Sequence, residues 1–253
     1  MLHSGLLRGP GGTPPAEGSR ALDWPLGMRQ LLAATRDPRL QAYYRAGAPE
    51  GSTPLHEAPL MALDVETTGL DPERDGILSI GLVPMSLSRI RSSQARHWLL
   101  KPRLPLSSAS VAFHGITHAH IRHAPDLLDV LEEVLGMMAG HVMVVHCREI
   151  ERQFLRAAVS SRVGEGIQFP VIDTMALEAR LHRQPQPWQW LPRWLHRPAP
   201  PVSIRLAASR DRYGLPRYRL HHALTDALAT AELLQAQVAH RFTPDTPLSA
   251  LWS

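Results

Sequence analysis

The chain has 253 residues, with 27 Lys and Arg against 23 Asp and Glu, and a sequence pI near 9.8. This length is enough for one full domain with an appendage, and the modest basic excess suits a polyanionic partner. The single cysteine excludes an internal disulfide and favours a reducing cytoplasm. No apolar run reaches the roughly 18 residues of a membrane span, and the N-terminus lacks the apolar core of a signal peptide. The sequence therefore predicts a cytoplasmic protein with no membrane partner.

The first part of the chain differs in composition from the rest. Residues 1–20 are rich in Gly and Pro and predict a disordered tail. Apolar side chains recur between residues 25 and 46, which predicts one or two short helices packed on the main body. Gly, Pro and Ser then dominate residues 47–59. We therefore expect a helical N-terminal extension and linker over residues 21–56, followed by the main domain over residues 57–245.

The main domain shows strand patterns first and alternating helix and strand patterns later. In chain order we predict strands over 60–66, 77–84 and 95–101, a helix over 126–138, a strand over 141–146, a helix over 148–160, a strand over 169–173, and helices over 174–182, 203–213 and 223–239. Three successive strands predict antiparallel pairing, and the later alternation predicts parallel pairing. The expected architecture is an α/β fold around a mixed sheet.

Two carboxylates follow the first buried strand of this domain. Asp64 and Glu66 come at the end of the apolar residues 60–63 and are two residues apart. Since strand side chains alternate, both point to one face of the sheet. Like charges this close repel each other unless a cation lies between them, and carboxylate oxygens suit Mg²⁺ or Mn²⁺. The pattern predicts part of a divalent-metal site, provided that further ligands occur downstream.

A second acidic cluster lies at the start of the helix predicted over residues 148–160. With Ile150 as the reference and 100° per residue, Glu151 lies at about 100°, in the same arc as the apolar Phe154. Glu149 points nearly opposite, toward solvent. Because an inward carboxylate needs a partner, Glu151 is the third predicted ligand.

The third cluster opens the last apolar helix. Asp226 lies in its first turns among apolar residues and is the fourth predicted ligand. A histidine beside a metal site suits the removal of a proton from water near neutral pH, and His221 and His222 both precede Asp226. His221 converges with Asp226 only from the loop before the helix, because five helical residues turn the side chain by about 140°. His222, four residues before Asp226, is the rival on geometry alone.

These clusters resemble the motifs of the DnaQ-like, DEDDh-type 3′–5′ exonucleases, a family with an RNase-H-like fold. The D-x-E-T-T-G-L-D motif is matched in full by residues 64–71. The H-x-x-x-x-D-x-x-F-L motif is matched by residues 146–155, except that Glu151 stands where the family has Asp. The H-x-A-x-x-D-A motif falls on residues 221–227, which favours His221 as the base, and residues 113–117 resemble the family's HGIT turn. The resemblance implies a mixed five-stranded sheet flanked by helices.

The resemblance also implies a mechanism. Four acidic residues would hold two Mg²⁺ or Mn²⁺ ions: Asp64, Glu66, Glu151 and Asp226. His221 would accept a proton from the attacking water, and the reaction would release nucleoside 5′-monophosphates from the 3′ end of single-stranded DNA, RNA or short oligonucleotides. Further residues would bind the substrate: Thr67 and Leu70 would contact the terminal nucleotide, and His114 and His146 are candidate contacts to phosphate or ribose.

Two other functions compete with a stand-alone exonuclease. The change of Asp to Glu151 keeps the charge and adds one methylene, so a degenerate module that binds nucleic acid without cutting it is one alternative. A proofreading subunit of a replicative polymerase is the other, and we expect it less because only about 27 residues follow Asp226.

An arginine-rich segment suggests where single-stranded nucleic acid could bind. Residues 180–220 contain nine arginines and one acidic residue, Asp211, interleaved with Trp188, Trp190 and Trp194. Arginine suits phosphates and tryptophan suits stacked bases. Packing of the tryptophans on the core is the competing interpretation.

Overall fold

The computed structural model describes residues 23–103, 108–182, 202–219 and 221–253. The predicted disordered tail over residues 1–20 lies outside these ranges, and so does the tryptophan-containing part of the arginine-rich segment, residues 183–201. Five strands form one sheet within the described ranges: β1 (Leu60–Thr67), β2 (Ile77–Met85), β3 (Arg96–Leu99), β4 (Val142–Val145) and β5 (Val171–Asp173).

The sheet is mixed, as the sequence predicts. The strand order is β3-β2-β1-β4-β5. β1 pairs antiparallel with β2, and β2 pairs antiparallel with β3. β4 pairs parallel with β1 and with β5. The predicted RNase-H-like architecture of a mixed five-stranded sheet is therefore confirmed, and β1 lies at its centre.

Helices cover both faces of the sheet. In chain order they are α1 (Trp24–Ala34), α2 (Pro38–Arg45), α3 (Ser108–His114), α4 (His118–Ile121), α5 (Leu127–Met138), α6 (Arg148–Val163), α7 (Thr174–His182), α8 (Leu206–Arg212) and α9 (Ala223–Arg241). The sequence predicts all of these except α3 and α4, which it leaves unassigned. Among the described residues, no helix combines the length and apolarity that crossing a bilayer requires.

The two N-terminal helices begin at well-formed caps. Asp23 accepts a hydrogen bond from the backbone N–H of Leu26 at 2.9 Å, and Asp37 accepts one from the backbone N–H of Arg39 at 2.9 Å. In both helices a proline stands in the first two positions, where its missing N–H costs nothing. These helices confirm the predicted helical N-terminal extension.

The alternation of side chains along β1 decides where the carboxylates lie. Met61, Leu63 and Val65 enter the core on the α5 and α6 face of the sheet. Leu60 and Ala62 enter the core on the opposite face, beneath α9. Because side chains alternate along a strand, the next two positions on the α9 face are Asp64 and Glu66. The fold therefore places both acids beneath the N-terminal part of α9.

Candidate active site

The two carboxylates of β1, Asp64 and Glu66, are poorly solvated. Glu66 is buried, and burial together with repulsion from Asp226 raises its pKa to about 8. The pKa of Asp64 is raised well above its usual value by desolvation first, and then by repulsion from Glu151, Asp226 and Glu66. Asp64 is thus within electrostatic reach of each of the other three predicted ligands.

Glu151 reaches this site from α6. Its side chain is 3% exposed, whereas Glu149 is exposed and pairs with Arg148 at 3.1 Å. The burial of Glu151 and the exposure of Glu149 are what the helical period of 100° per residue predicts. Burial raises the pKa of Glu151, and its Oε2 has no hydrogen-bond partner among the described residues. A buried carboxylate oxygen without a partner is costly, so the pocket is short of positive charge.

The N-terminus of α6 is fixed by Asp173 at the end of β5. The Asp173 carboxylate accepts hydrogen bonds from the backbone N–H groups of Cys147 at 3.2 Å and Arg148 at 3.3 Å. It also accepts one from the backbone N–H of Met175 at 2.9 Å, at the start of α7. One carboxylate therefore holds the first turns of two helices, and this fixes the height from which Glu151 enters the pocket.

The start of α9 supplies the remaining groups. Asp226 is buried, and its Oδ2 accepts a hydrogen bond from the backbone N–H of His221 at 2.8 Å. Its Oδ1 has no hydrogen-bond partner within the described part of the chain. His221 lies before the helix with a φ of 69°, in the left-handed region that non-glycine residues rarely adopt. The loop position that convergence requires of His221 is thus the one that it occupies.

Three of these side chains converge on one point. One ligand atom from each of Glu66, His221 and Asp226 lies within 4.8 Å of the others. Asp64 lies near this group, because repulsion from Glu66 and Asp226 raises its pKa. Glu151 lies near Asp64, because it raises the same pKa. Oxygen-rich donors, like charges and unpaired carboxylate oxygens fit hard divalent cations such as Mg²⁺ or Mn²⁺. The arrangement is chemically suited to hold such ions next to an imidazole.

The turn after β1 is ordered by Asp75, an acidic residue outside the four predicted ligands. Asp75 accepts hydrogen bonds from the Thr68 hydroxyl at 2.9 Å and from the backbone N–H of Asp71 at 3.0 Å. A Cβ on Gly69 would lie 2.3 Å from the Asp75 carboxylate, so a side chain here would displace that carboxylate from its hydrogen bonds. The turn carries Leu70, which is 49% exposed.

Thr67 lies at the end of β1 and helps to shape the same turn. Its hydroxyl donates a hydrogen bond to the Gly69 carbonyl at 2.6 Å. Its predicted contact with substrate therefore competes with a hydrogen bond inside the protein.

The two histidines predicted to bind substrate have different surroundings. His114 is close enough to His221 for repulsion from that residue to lower its pKa, after the larger effect of burial. Its Nδ1 accepts the backbone N–H of Ile116 at 2.9 Å, and its Nε2 lies 2.6 Å from the Ser110 hydroxyl. His114 thus borders the pocket, with both ring nitrogens engaged.

His146 packs inside the protein. Its Nδ1 lies 2.8 Å from the Thr174 hydroxyl and its Nε2 lies 3.1 Å from the Ile204 carbonyl. Burial lowers its pKa to about 4, so the ring is neutral near pH 7 and Nε2 donates to the carbonyl. A substrate contact by His146 finds no support in this geometry, because its two nitrogens connect β4, α7 and the segment before α8.

Several of the described arginines in the segment 180–219 pair with acidic residues of the fold. Arg210 is buried and donates to Glu232 at 2.7 Å, and Arg212 pairs with the buried Glu178. Arg217 pairs with Asp211 at 3.0 Å. The sequence suggests a basic patch for nucleic acid in this segment, and that interpretation is wrong for the buried Arg210. Trp188, Trp190 and Trp194 lie outside the described residues.

Three residues of the site region carry no recognisable signal in the sequence. Ser79 lies directly opposite Glu66 in the β1–β2 pairing, next to a register shift, and is fully buried. Its hydroxyl has no hydrogen-bond partner in the described ranges. Gly81 lies opposite Asp64, and a Cβ there would come 2.5 Å from the backbone of Ala223. His97 lies opposite Gly81 on β3. Only the strand register reveals that these positions border the site.

Comparison with known proteins gives the family. The family model described as Exonuclease (RNase_T) matches residues 61–234. DNA polymerase III PolC-type of Thermotoga petrophila is 31% identical over 179 residues, which are 71% of this chain and 12% of that protein. The DNA polymerase III subunit epsilon-like protein of Rhodobacter capsulatus is 30% identical over 181 residues, which are 71% of this chain and 24% of that protein. The chain thus spans at most about a quarter of the length of these relatives.

Solved structures share the fold. Exonuclease X in complex with 5′ overhanging duplex DNA has a TM-score of 0.53 and 24% identity, covering 75% of this chain and 97% of its own. The nuclease domain of 3′hExo, a DEDDh family member bound to rAMP, has a TM-score of 0.59 and 16% identity, covering 75% and 96%. The match over residues 61–234 contains all the acidic residues of the pocket. The chain therefore belongs to the RNase T/DnaQ-like DEDDh exonuclease family.

Proposed function

We propose that this chain is a metal-dependent 3′–5′ exonuclease. It removes nucleoside 5′-monophosphates from the 3′ ends of single-stranded DNA, RNA or short oligonucleotides. One observation supports the proposal: Glu66, His221 and Asp226 converge, Asp64 interacts electrostatically with Glu66, Glu151 and Asp226, and Glu151 Oε2 and Asp226 Oδ1 have no hydrogen-bond partner among the described residues. Such a pocket is costly unless cations enter it, and a family nuclease needs those cations.

Each acidic residue has a defined part in this proposal. Asp64, Glu66, Glu151 and Asp226 hold two Mg²⁺ or Mn²⁺ ions. When bound, these ions lower the pKa of water and stabilise the charge that develops on the phosphoryl group and on the leaving 3′ oxygen.

The other residues handle the proton and the strand. His221 accepts the proton of the attacking water, and the hydrogen bond from its backbone N–H to Asp226 holds it at the pocket. Leu70, exposed on the turn after β1, packs against the terminal base, and Thr67 and His114 line the same entrance. His146 keeps its structural contacts.

Glu151 bears on whether the site is active. Its extra methylene is accommodated at the first turn of α6, and its burial matches that of Glu66 and Asp226. A degenerate site no longer needs a buried acid at this position, and the desolvation cost of one favours its loss. We therefore favour an active enzyme, in which Glu151→Asp retains or raises activity.

The test is the stepwise shortening of a 5′-labelled oligonucleotide with Mg²⁺ or Mn²⁺. We expect a ladder of products from the wild type, and a loss of at least a hundredfold in rate for Asp226→Asn and Glu151→Gln. Glu149→Gln is the matched control, because it makes the same change two residues away on the exposed face of α6. Binding without shortening by the wild type would instead support a nucleic-acid-binding module.

A proofreading role is the second candidate, because PolC-type polymerases and an epsilon-like subunit are among the relatives. In that role the chain removes mismatched 3′ ends beside a polymerase. A primer with a mismatched 3′ terminus, offered in competition with a matched primer, tests it. Preference for the mismatch only in the presence of a co-purifying polymerase supports this candidate, and equal cleavage with no such partner supports the stand-alone enzyme.

A further inference from the structure

Two imidazole rings stack at the edge of the pocket. The rings of His97 and His222 have centroids 4.6 Å apart and planes 29° apart. His97 belongs to β3, where Trp98 is buried on the α5 and α6 face. Because side chains alternate along a strand, His97 points to the α9 face, where His222 precedes the first turn of α9. Both histidines are exposed, so burial does not impose this contact.

The stack belongs to a row of residues that crosses the sheet. Asp64 lies opposite Gly81, and Gly81 lies opposite His97. With no side chain at Gly81, the backbone of Ala223 packs directly on β2. This close approach brings the start of α9 within reach of β3. The same short segment that carries His222 and Ala223 also carries His221, which adjoins Glu66 and Asp226.

The backbone at His221 is in an unfavourable conformation that neighbouring contacts have to hold. A non-glycine residue at a φ of 69° is strained, and this conformation persists only where its surroundings impose it. On one side, the Asp226 carboxylate accepts the His221 N–H at 2.8 Å. On the other side, the next residue is His222, whose ring rests on His97.

We propose that His97 is a positioning residue: by stacking on His222 it holds the His221 loop in its left-handed conformation, with the imidazole of His221 directed at the pocket. The proposal rests on the proposed function, in which His221 removes a proton. The contribution of His97 comes from its ring and not from its charge. The sequence alone gives no reason to single out His97.

Kinetics of matched variants test this role. We expect His97→Ala to lower kcat about tenfold with KM changed by less than about twofold, since a stacked pair contributes about one power of ten at most. His97→Phe keeps an aromatic ring and restores kcat to within about twofold of the wild type. Arg96→Ala is the control, because this exposed neighbour lies on the other face of β3 and changes nothing. A rise in KM with unchanged kcat, or failure of Phe to restore activity, overturns the proposal.

Hydrogen exchange tests the same idea without catalysis. The His221 N–H is protected by its bond to Asp226, so we expect His97→Ala to speed exchange in the peptide spanning residues 219–226 at least fivefold in metal-free protein. His97→Phe and Arg96→Ala leave that rate unchanged. Unaltered exchange in His97→Ala refutes the positioning role even if the wild type is an active nuclease. If exchange is faster in His97→Ala but the wild type proves inactive, the proposed function fails and the positioning of the His221 loop by His97 stands.

Discussion

At the level of single residues, the pocket holds acidic groups that repel one another. Glu66 is the best defined case, because burial and the nearby Asp226 raise its pKa to about 8 from an ordinary value of 4.5. The folded state therefore binds a proton that the unfolded chain releases, and the stability linked to Glu66 is present below about pH 4.5 and lost as the pH rises through 8. Metal-free protein is accordingly destabilised at neutral pH by the residues that the proposed reaction needs.

Neutralising this side chain should stabilise the metal-free protein. We expect Glu66→Gln to be more stable than the wild type at pH 8 in EDTA, and this advantage to shrink by about 3 kcal/mol on going to pH 5. Urea unfolding at several pH values measures the difference. Mg²⁺ should stabilise the wild type and have little effect on Glu66→Gln. The exposed Glu149→Gln is the control, and an equal gain from that change would contradict a specific effect of the pocket.

His146 gives a pH dependence of opposite sign. Its pKa is about 4 in the folded state, below the ordinary value of 6.5, so between these values the unfolded chain binds a proton that the folded chain excludes. Stability linked to His146 is present above pH 6.5 and is lost as the pH falls toward 4.

We expect the stability of the wild type to fall by about 2 kcal/mol more than that of His146→Gln between pH 7 and pH 4.5. Urea unfolding of both proteins at matched pH measures this difference. The contribution of the carboxylates cancels, because both proteins contain the same ones. His123→Gln, at an exposed position, should follow the wild type. Parallel stability curves for the wild type and His146→Gln would show that the ring is accessible to protons in the folded state.

At the level of elements, local patterns predict what a single strand or helix does alone. The 2-residue period places Asp64 and Glu66 on one face, and the 100° helical period separates the buried Glu151 from the exposed Glu149. Contacts between elements that are distant in the chain cannot be predicted from such a period. The position of His97 near the site depends on its pairing with Gly81, which in turn pairs with Asp64. Likewise, nothing local distinguishes Arg210 as a buried partner of Glu232.

The packing of α9 on β2 can be tested through Gly81. An alanine Cβ there meets the Ala223 backbone at 2.5 Å, and neither backbone can move without disturbing the sheet or the helix. We expect Gly81→Ala to cost about 1–3 kcal/mol of stability, and to weaken Mn²⁺ binding by displacing Asp226 from β1. Urea unfolding and titration calorimetry measure the two effects.

Gly136→Ala is the matched control for this change. Gly136 lies inside α5, and an added Cβ there meets nothing within 4 Å. We expect this substitution to stabilise the protein by about 0.5–1 kcal/mol, since alanine is the better helix former, and to leave Mn²⁺ binding unchanged. Equal behaviour of the two variants would mean that α9 tolerates a shift away from β2.

At the level of the whole molecule, the N-terminal helices share the core of the exonuclease fold. Met28 from α1, together with Leu40, Tyr43 and Tyr44 from α2, belongs to the same buried cluster as β1, α5 and α6. The Tyr44 hydroxyl also accepts the backbone N–H of Gln168 at 3.0 Å, just before β5. Residues 24–45 and the sheet should therefore unfold together, although the change in composition along the sequence suggests an appendage.

Tyr43 provides the test of this coupling. It is fully buried, and its hydroxyl has no hydrogen-bond partner in the part of the chain that the structure describes. We expect Tyr43→Ala to cost about 3–5 kcal/mol through the cavity that it leaves, whereas Tyr43→Phe is neutral or stabilising because it removes an unpaired hydroxyl. Circular dichroism and tryptophan fluorescence should follow one coincident unfolding transition in each variant. A separate early transition that takes all of the loss in Tyr43→Ala, with Mn²⁺ binding by the remaining fold unchanged, would show that the two helices fold as an independent unit.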